Sequence, residues 1–241
     1  MATAKSNRKN IMKNRKAVFG LECQVTANKA NAYATRSSIE ENRALILKNY
    51  TAAFMGNRQL ANQNTDDIFR NRKTILGSLD TQTDVQRNYV ESCLNEASID
   101  YLEHRAALNA SVLEVNRMMA EVNAKLIEIN SRIMKSNESI VSFNSKNLAL
   151  NSKILTTGLS PKTAIPASNA RRIARNKERL GKILKVAKGN ASTILALLKT
   201  AAKNRAAIEK NAAGILARRK GIEDNQKKIA SNQSRVEKLI S

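Results

Sequence analysis

A chain of 241 residues with a formal net charge of +22, 3% aromatic residues, no Trp, two Pro and eight Gly lacks the make-up of a sheet-built globular domain, which draws on aromatic residues and turn formers. A single His and two Cys leave too few ligands for a His/Cys zinc site, and neither a glycine-rich phosphate loop nor a nucleophile motif occurs. What remains is the composition of long helices with a strongly basic surface.

The first predicted element is a helix over about residues 5–76. Asparagine recurs in it every seventh residue, at Asn7, Asn14, Asn28, Asn42 and Asn49, with Leu21 and Thr35 filling the intervening slots. The register then slips by one residue to Asn57, Asn64 and Asn71. A one-residue slip beside Gly56 predicts a local π-bulge or kink inside the helix, not a boundary. With the Asn slot named d, position a reads Ile11, Val18, Val25, Ala32, Ile39, Ile46 and Ala53, then Ala61, Ile68 and Ile75. The first 21 residues are basic and acid-free, like an organellar transit peptide, but Asn7 and Asn14 already lie in the heptad register. They read as the start of the helix.

A break is expected at Gly77–Asp84, with Asp84 or Thr83 capping a second helix over about 84–155. Here the Asn row runs Asn88, Asn95, then Asn109, Asn116, Asn123, Asn130, Asn137, Asn144 and Asn151 without a miss. Position a carries Val85, Ile99, Leu113, Ile127, Met134, Val141, Leu148 and Leu155 among smaller residues. Both prolines, Pro161 and Pro166, fall in a turn over 156–168, with Gly158 suited to a C-cap and Ser168 to an N-cap.

A third helix is expected over about 168–240, with Asn169, Asn176, Asn190, Asn204, Asn211, Asn225 and Asn232 at d. Every residue at its position a is aliphatic, from Ile173, Leu180 and Ala187 to Ile229 and Val236. Across the chain 24 of 28 Asn occupy this register, so chance placement is set aside. Three segments of nearly equal length joined by short turns predict an all-α fold: an elongated antiparallel three-helix rod, a coiled-coil-like bundle with Asn at d and aliphatic residues at a, forming one domain over 1–241. At 1.5 Å per residue each helix would be roughly 105–110 Å long. The rival is one long interrupted helix that oligomerises.

An amide set against apolar neighbours costs about 1–3 kcal/mol if unpaired, so most of these Asn must find partners. Asn carries donor and acceptor together and can bond another Asn or a free carbonyl. The rows of the second and third helices, Asn88 to Asn151 with Asn204, Asn211, Asn225 and Asn232, are the expected register and assembly residues: sliding a helix by one residue leaves amides against Ile. In layer chemistry alone, at positions such as Asn116 and Asn123, the row resembles the stalks of trimeric bacterial adhesins. That resemblance implies inward amide layers able to hold a core anion or water.

Charge is unevenly placed, at +9 over residues 1–78, −2 over 79–160 and +15 over 161–241. The third helix could meet the acidic middle helix of a neighbour, or bind an anionic partner, nucleic acid or acidic protein, through Arg171, Arg172, Arg175, Lys182, Lys185, Arg205, Arg218, Arg219 and Lys220. Against nucleic acid stand the spread of basic residues over all faces and the absence of interleaved aromatics. His104 is expected on the surface or at an interface, and Cys23 and Cys93 as free thiols, since position 23 would face about position 137 in the folded rod. No resident cofactor or metal is expected.

No run of about 18 apolar residues occurs, so no membrane span is expected. Asn49, Asn109, Asn137, Asn190 and Asn232 lie in glycosylation sequons. A glycan there would block packing, which disfavours a eukaryotic secretory route and leaves cytosolic, viral or bacterial settings. The function expected is non-enzymatic: a self-assembling coiled-coil rod subunit of a filament, lattice or scaffold. The alternative is an architectural nucleic-acid- or polyanion-binding protein.

Overall fold

The computed structural model describes residues 2–158, 161 and 164–240. Among them the protein is all-α, with no strand. Helix α1 covers Ala4–Tyr50 and runs through a π-helical segment, Thr51–Asn57, directly into α2, Arg58–Gly77. The two long helices that follow are α3, Asp84–Thr157, and α4, Pro166–Ile240. In the turn expected over 156–168, residues 159, 160, 162 and 163 lie outside the described residues.

Local chemistry sets the ends. Thr3 accepts a hydrogen bond from the Ser6 N–H and caps α1. Thr83 and Gln86 form a reciprocal capping box at the start of α3, so Thr83 is the cap and Asp84 opens the first turn. Gly158 closes α3 at φ 67°, a region that a side chain would strain, while its N–H reaches the Ile154 carbonyl. Helix α4 begins at Pro166, two residues before the Ser168 start expected from sequence. Proline's fixed φ suits the first helical position, and Ser168 sits inside the first turn, where its hydroxyl bonds the Ile165 backbone.

The helices divide into two compact units. The first joins Met1–Asn64 to Lys162–Ser231, and its core is lean. Ala187, Ala201, Ile208 and Ile229 of α4 are its buried apolar residues, interleaved with buried Asn7, Asn42 and Asn64 from the first segment. Ala187 and Ala201 lie where the helix backbones approach closely enough for the Asn28 and Asn42 amides to span the gap.

The second unit comprises Thr65–Pro161 and Asn232–Ser241. In it the end of α2 and the start of α3 run antiparallel across the short Gly77–Asp84 connection. Phe69 stacks on Tyr101 with ring centroids 4.3 Å apart, and Arg72 pairs with Asp100 at 3.0 Å. Ala97 and Val236 are its buried apolar residues.

Candidate functional site

The functional candidates are rows of side chains, and one row is engaged. Asn7, Asn14, Asn28, Asn42 and Asn49 each donate an amide N–H to the backbone carbonyl of the residue 159 positions later: Pro166, Ile173, Ala187, Ala201 and Ile208. Asn57 and Asn64 do the same to Ile215 and Ile222, 158 positions later. Donor–acceptor distances run from 2.7 to 3.0 Å. Acceptor number rises with donor number, so α1 and α4 run parallel in this unit. Each acceptor is the carbonyl of a position-a residue, or of Pro166 one heptad earlier. A helix carbonyl keeps a second lone pair beside its own i+4 bond, which is the one the amide takes.

The change from 159 to 158 is made by the π segment. Between Asn49 and Asn57 the first strand of the ladder uses eight residues, where α4 uses seven between Ile208 and Ile215. A π turn holds one residue more than an α turn, so Thr51–Asn57 absorbs the excess and returns Asn57 to the row. Tyr50 stacks on Phe54 with centroids 5.4 Å apart, and the Arg58 guanidinium lies 4.9 Å from the Phe54 ring centroid, covering the widened turn. Leu21 and Thr35 interrupt the ladder. Thr35, though buried, turns its hydroxyl onto the Asn31 carbonyl of its own helix.

This interface is one-sided. From α1 it takes the Asn row, and from α4 the aliphatic row. The aliphatic row of α1 stays half open, with Val18 40% and Ile46 51% exposed. The Asn row of α4, including Asn204, Asn211, Asn225 and Asn232, is exposed throughout. In α3 neither row is covered: Asn88, Asn95, Asn109, Asn116, Asn123, Asn130, Asn137, Asn144 and Asn151 are all exposed. The aliphatic row beside them is 63% exposed at Ile99 and 86% at Leu155. The Asn positions singled out from sequence on α3 and α4 are therefore not those that make the observed bonds. The engaged row runs from α1 through the π segment into α2, and its slip at 49–57 marked it: only a row held against a fixed partner needs one residue absorbed at one place.

Asn64 differs from its neighbours in the row. Its N–H is bonded to Ile222, but its Oδ1 is buried with no protein partner. A lone buried acceptor of this kind costs about 1–3 kcal/mol. The amides of Asn7, Asn14, Asn28, Asn42, Asn49 and Asn57 are likewise each directed at a carbonyl, so this row is a set of amide-to-backbone rungs and not a ring of amides facing one another.

The basic residues of α4 singled out from sequence fall into two groups. Lys182, Arg205 and Arg219 are held by carboxylates, Glu178, Glu209 and Glu223 respectively, with Glu41 3.8 Å from Arg205. Arg171, Arg172, Arg175, Lys185, Arg218 and Lys220 are exposed and make no ion pair among the described residues.

Elsewhere polar contacts are local. Asp66 accepts from the Tyr101 hydroxyl at 2.9 Å and from Arg105 at 2.8 Å, tying α2 to α3. The Tyr101 hydrogen bond raises Arg105 above the ordinary guanidinium value; burial opposes it and the charge of Asp66 assists. On α3 the Arg117 guanidinium bridges Glu114 and Glu121 and holds the Glu114 carboxyl below its usual range, as Arg132 and Lys125 do for Glu128. His104 is exposed at the rim of a shallow groove lined by Phe69, Ala97 and Tyr101. Cys23 is exposed, Cys93 half-buried, and both are free thiols.

Among the described residues no group of three His, Cys, Asp or Glu converges to hold a metal, and no helix is long and apolar enough to cross a membrane. No family model matches the chain, and neither a curated protein nor a solved structure matches it.

Proposed function

We propose that this protein is a non-enzymatic structural subunit, a self-assembling coiled-coil rod that builds a filament, lattice or scaffold. The observation that carries this reading is the uncovered aliphatic row of α3, repeated at heptad spacing from Ile99 through Leu113, Ile127 and Met134 to Leu155. Folded chains that work alone rarely leave a long apolar stripe open to water, because each exposed Å² forgoes about 25 cal/mol of burial. Beside the stripe stands an Asn row of the kind that bonds a neighbouring helix between α1 and α4. Apolar contact would supply the affinity, and the amides would restrict which registers are allowed.

Imaging and sedimentation of the pure chain at low and at high salt test this. Ordered multi-copy particles that persist at high salt, without nucleic acid, are the expected result. A chain that stays monomeric at every concentration and salt overturns it.

The unpaired Arg171, Arg172 and Arg175 near the start of α4 favour a second reading, binding of a polyanion such as nucleic acid. That reading expects duplex DNA to be shifted at low salt and released at high salt, with loss of the shift when the three are changed to Gln. A shift indifferent to salt or to those changes would count against it.

A further inference from the structure

The α1–α4 interface follows a rule: the Asn row of one helix donates to the position-a carbonyls of a parallel helix whose position-a side chains are aliphatic. Two donor rows are unused, on α4 and α3, and two aliphatic rows lie open, on α1 and α3. Only a third helix with both of its rows uncovered can meet both needs. Helix α3 has that character.

A seat for such a helix exists. Along the α1–α4 pair an open groove recurs at three stations, between Val18 and Leu180, between Val25 and Ile194, and between Ile46 and Ile215. Its walls combine the open aliphatic row of α1 with the aliphatic row of α4, and Asn176, Asn190 and Asn211 of the unused α4 row line the same stations. The groove thus holds apolar surface, unused amide donors and the position-a face of α1 side by side.

Resting on the self-assembly reading above, we propose that this groove receives the α3 helix of a second copy of this chain. The α4 amides then donate to position-a carbonyls of the incoming α3, and the α3 amides donate to those of α1. Each helix gives its Asn row to the next, and the three close a ring of donors and acceptors. Lengths agree, with 74 residues in α3 and 75 in α4. Charge agrees as well, since the segment carrying α3 has a net −2 and those forming the groove +9 and +15. A second α1 or α4 in the groove would place basic segments against basic segments, whereas α3 brings nine of the chain's 20 carboxylates.

The test uses the full chain, as an equimolar mixture of natural-abundance and ¹⁵N-labelled protein treated with an amine-reactive cross-linker. Mixed-isotope links from Lys125, Lys135 and Lys146 of α3 to lysines of α1 and α4 are expected. The double variant Ile127→Lys, Met134→Lys should abolish those links and weaken association by about tenfold or more, the equivalent of one well-packed apolar contact. Both side chains are about 70% exposed in the chain, so folding is not at stake. The control Ser111→Lys, Ser139→Lys adds the same charge on the opposite face of α3 and should leave association within about twofold.

Mixed-isotope links confined to α3 with α3 would overturn the proposal while leaving self-assembly standing. Links from α3 to α1 and α4 that are exclusively single-isotope would overturn it too, because the chain would then fill its own groove. Absence of any mixed-isotope link, with a monomer by sedimentation, would sink both the proposal and the assembly reading.

Discussion

Helices α1 and α3 carry the same heptad pattern and meet opposite fates. In α1 the amides are buried or half-buried and bonded to α4, and one π turn keeps them there. In α3 the row is more regular, unbroken from Asn109 to Asn151, and every member is exposed. A heptad Asn row is therefore not a core element by itself. It becomes one where a partner offers an aliphatic row with small residues, as α4 does at Ala187 and Ala201, where the Asn28 and Asn42 amides reach the backbone at 2.7 and 2.8 Å.

The sharpest way to separate the two rows is to shift them. Deleting Ala34 moves Asn7, Asn14 and Asn28 out of step with α4, and three lost bonds alone imply about 3 kcal/mol of destabilisation in urea unfolding. Deleting Ala52 inside the π segment should do the reverse: seven residues then face seven, the π turn relaxes to an α turn, and stability holds or rises. Equal losses from both deletions would mean that the π segment does not absorb the register slip.

Next in size is Asn42→Asp. It puts a carboxylate against the Ala201 carbonyl in a buried site and should cost about 3 kcal/mol, whereas Asn123→Asp on α3 should stay within about 0.5 kcal/mol for the isolated chain. Thermal unfolding of the pair gives the contrast directly. Ala201→Leu should cost about 1–3 kcal/mol by forcing the backbones apart, while Ala120→Leu, at the matching heptad position of α3, should leave the monomer unchanged.

The smallest effect is that of acid. The Glu114 and Glu128 carboxyls sit below their usual range because of Arg117 and of Arg132 with Lys125. Their contribution is complete above the ordinary carboxylate range and fades as pH falls through the lowered values. Circular dichroism should show a slight loss of helix there, diminished in a Glu114→Gln, Glu128→Gln variant.

Local and periodic features of this protein were legible in the chain. The heptad pattern, the paucity of aromatics and the clustering of both prolines define long helices and their breaks, because helix formation and capping depend on residues within a few positions of each other. The slip from Asn49 to Asn57 could be read as an extra residue for the same reason. Which Asn row would be used could not be read, since all three obey one pattern and differ only in what lies across from them. Tertiary structure decided that: α4 offers its carbonyls to α1, at a constant separation no local rule supplies, and leaves its own amides and both rows of α3 uncovered.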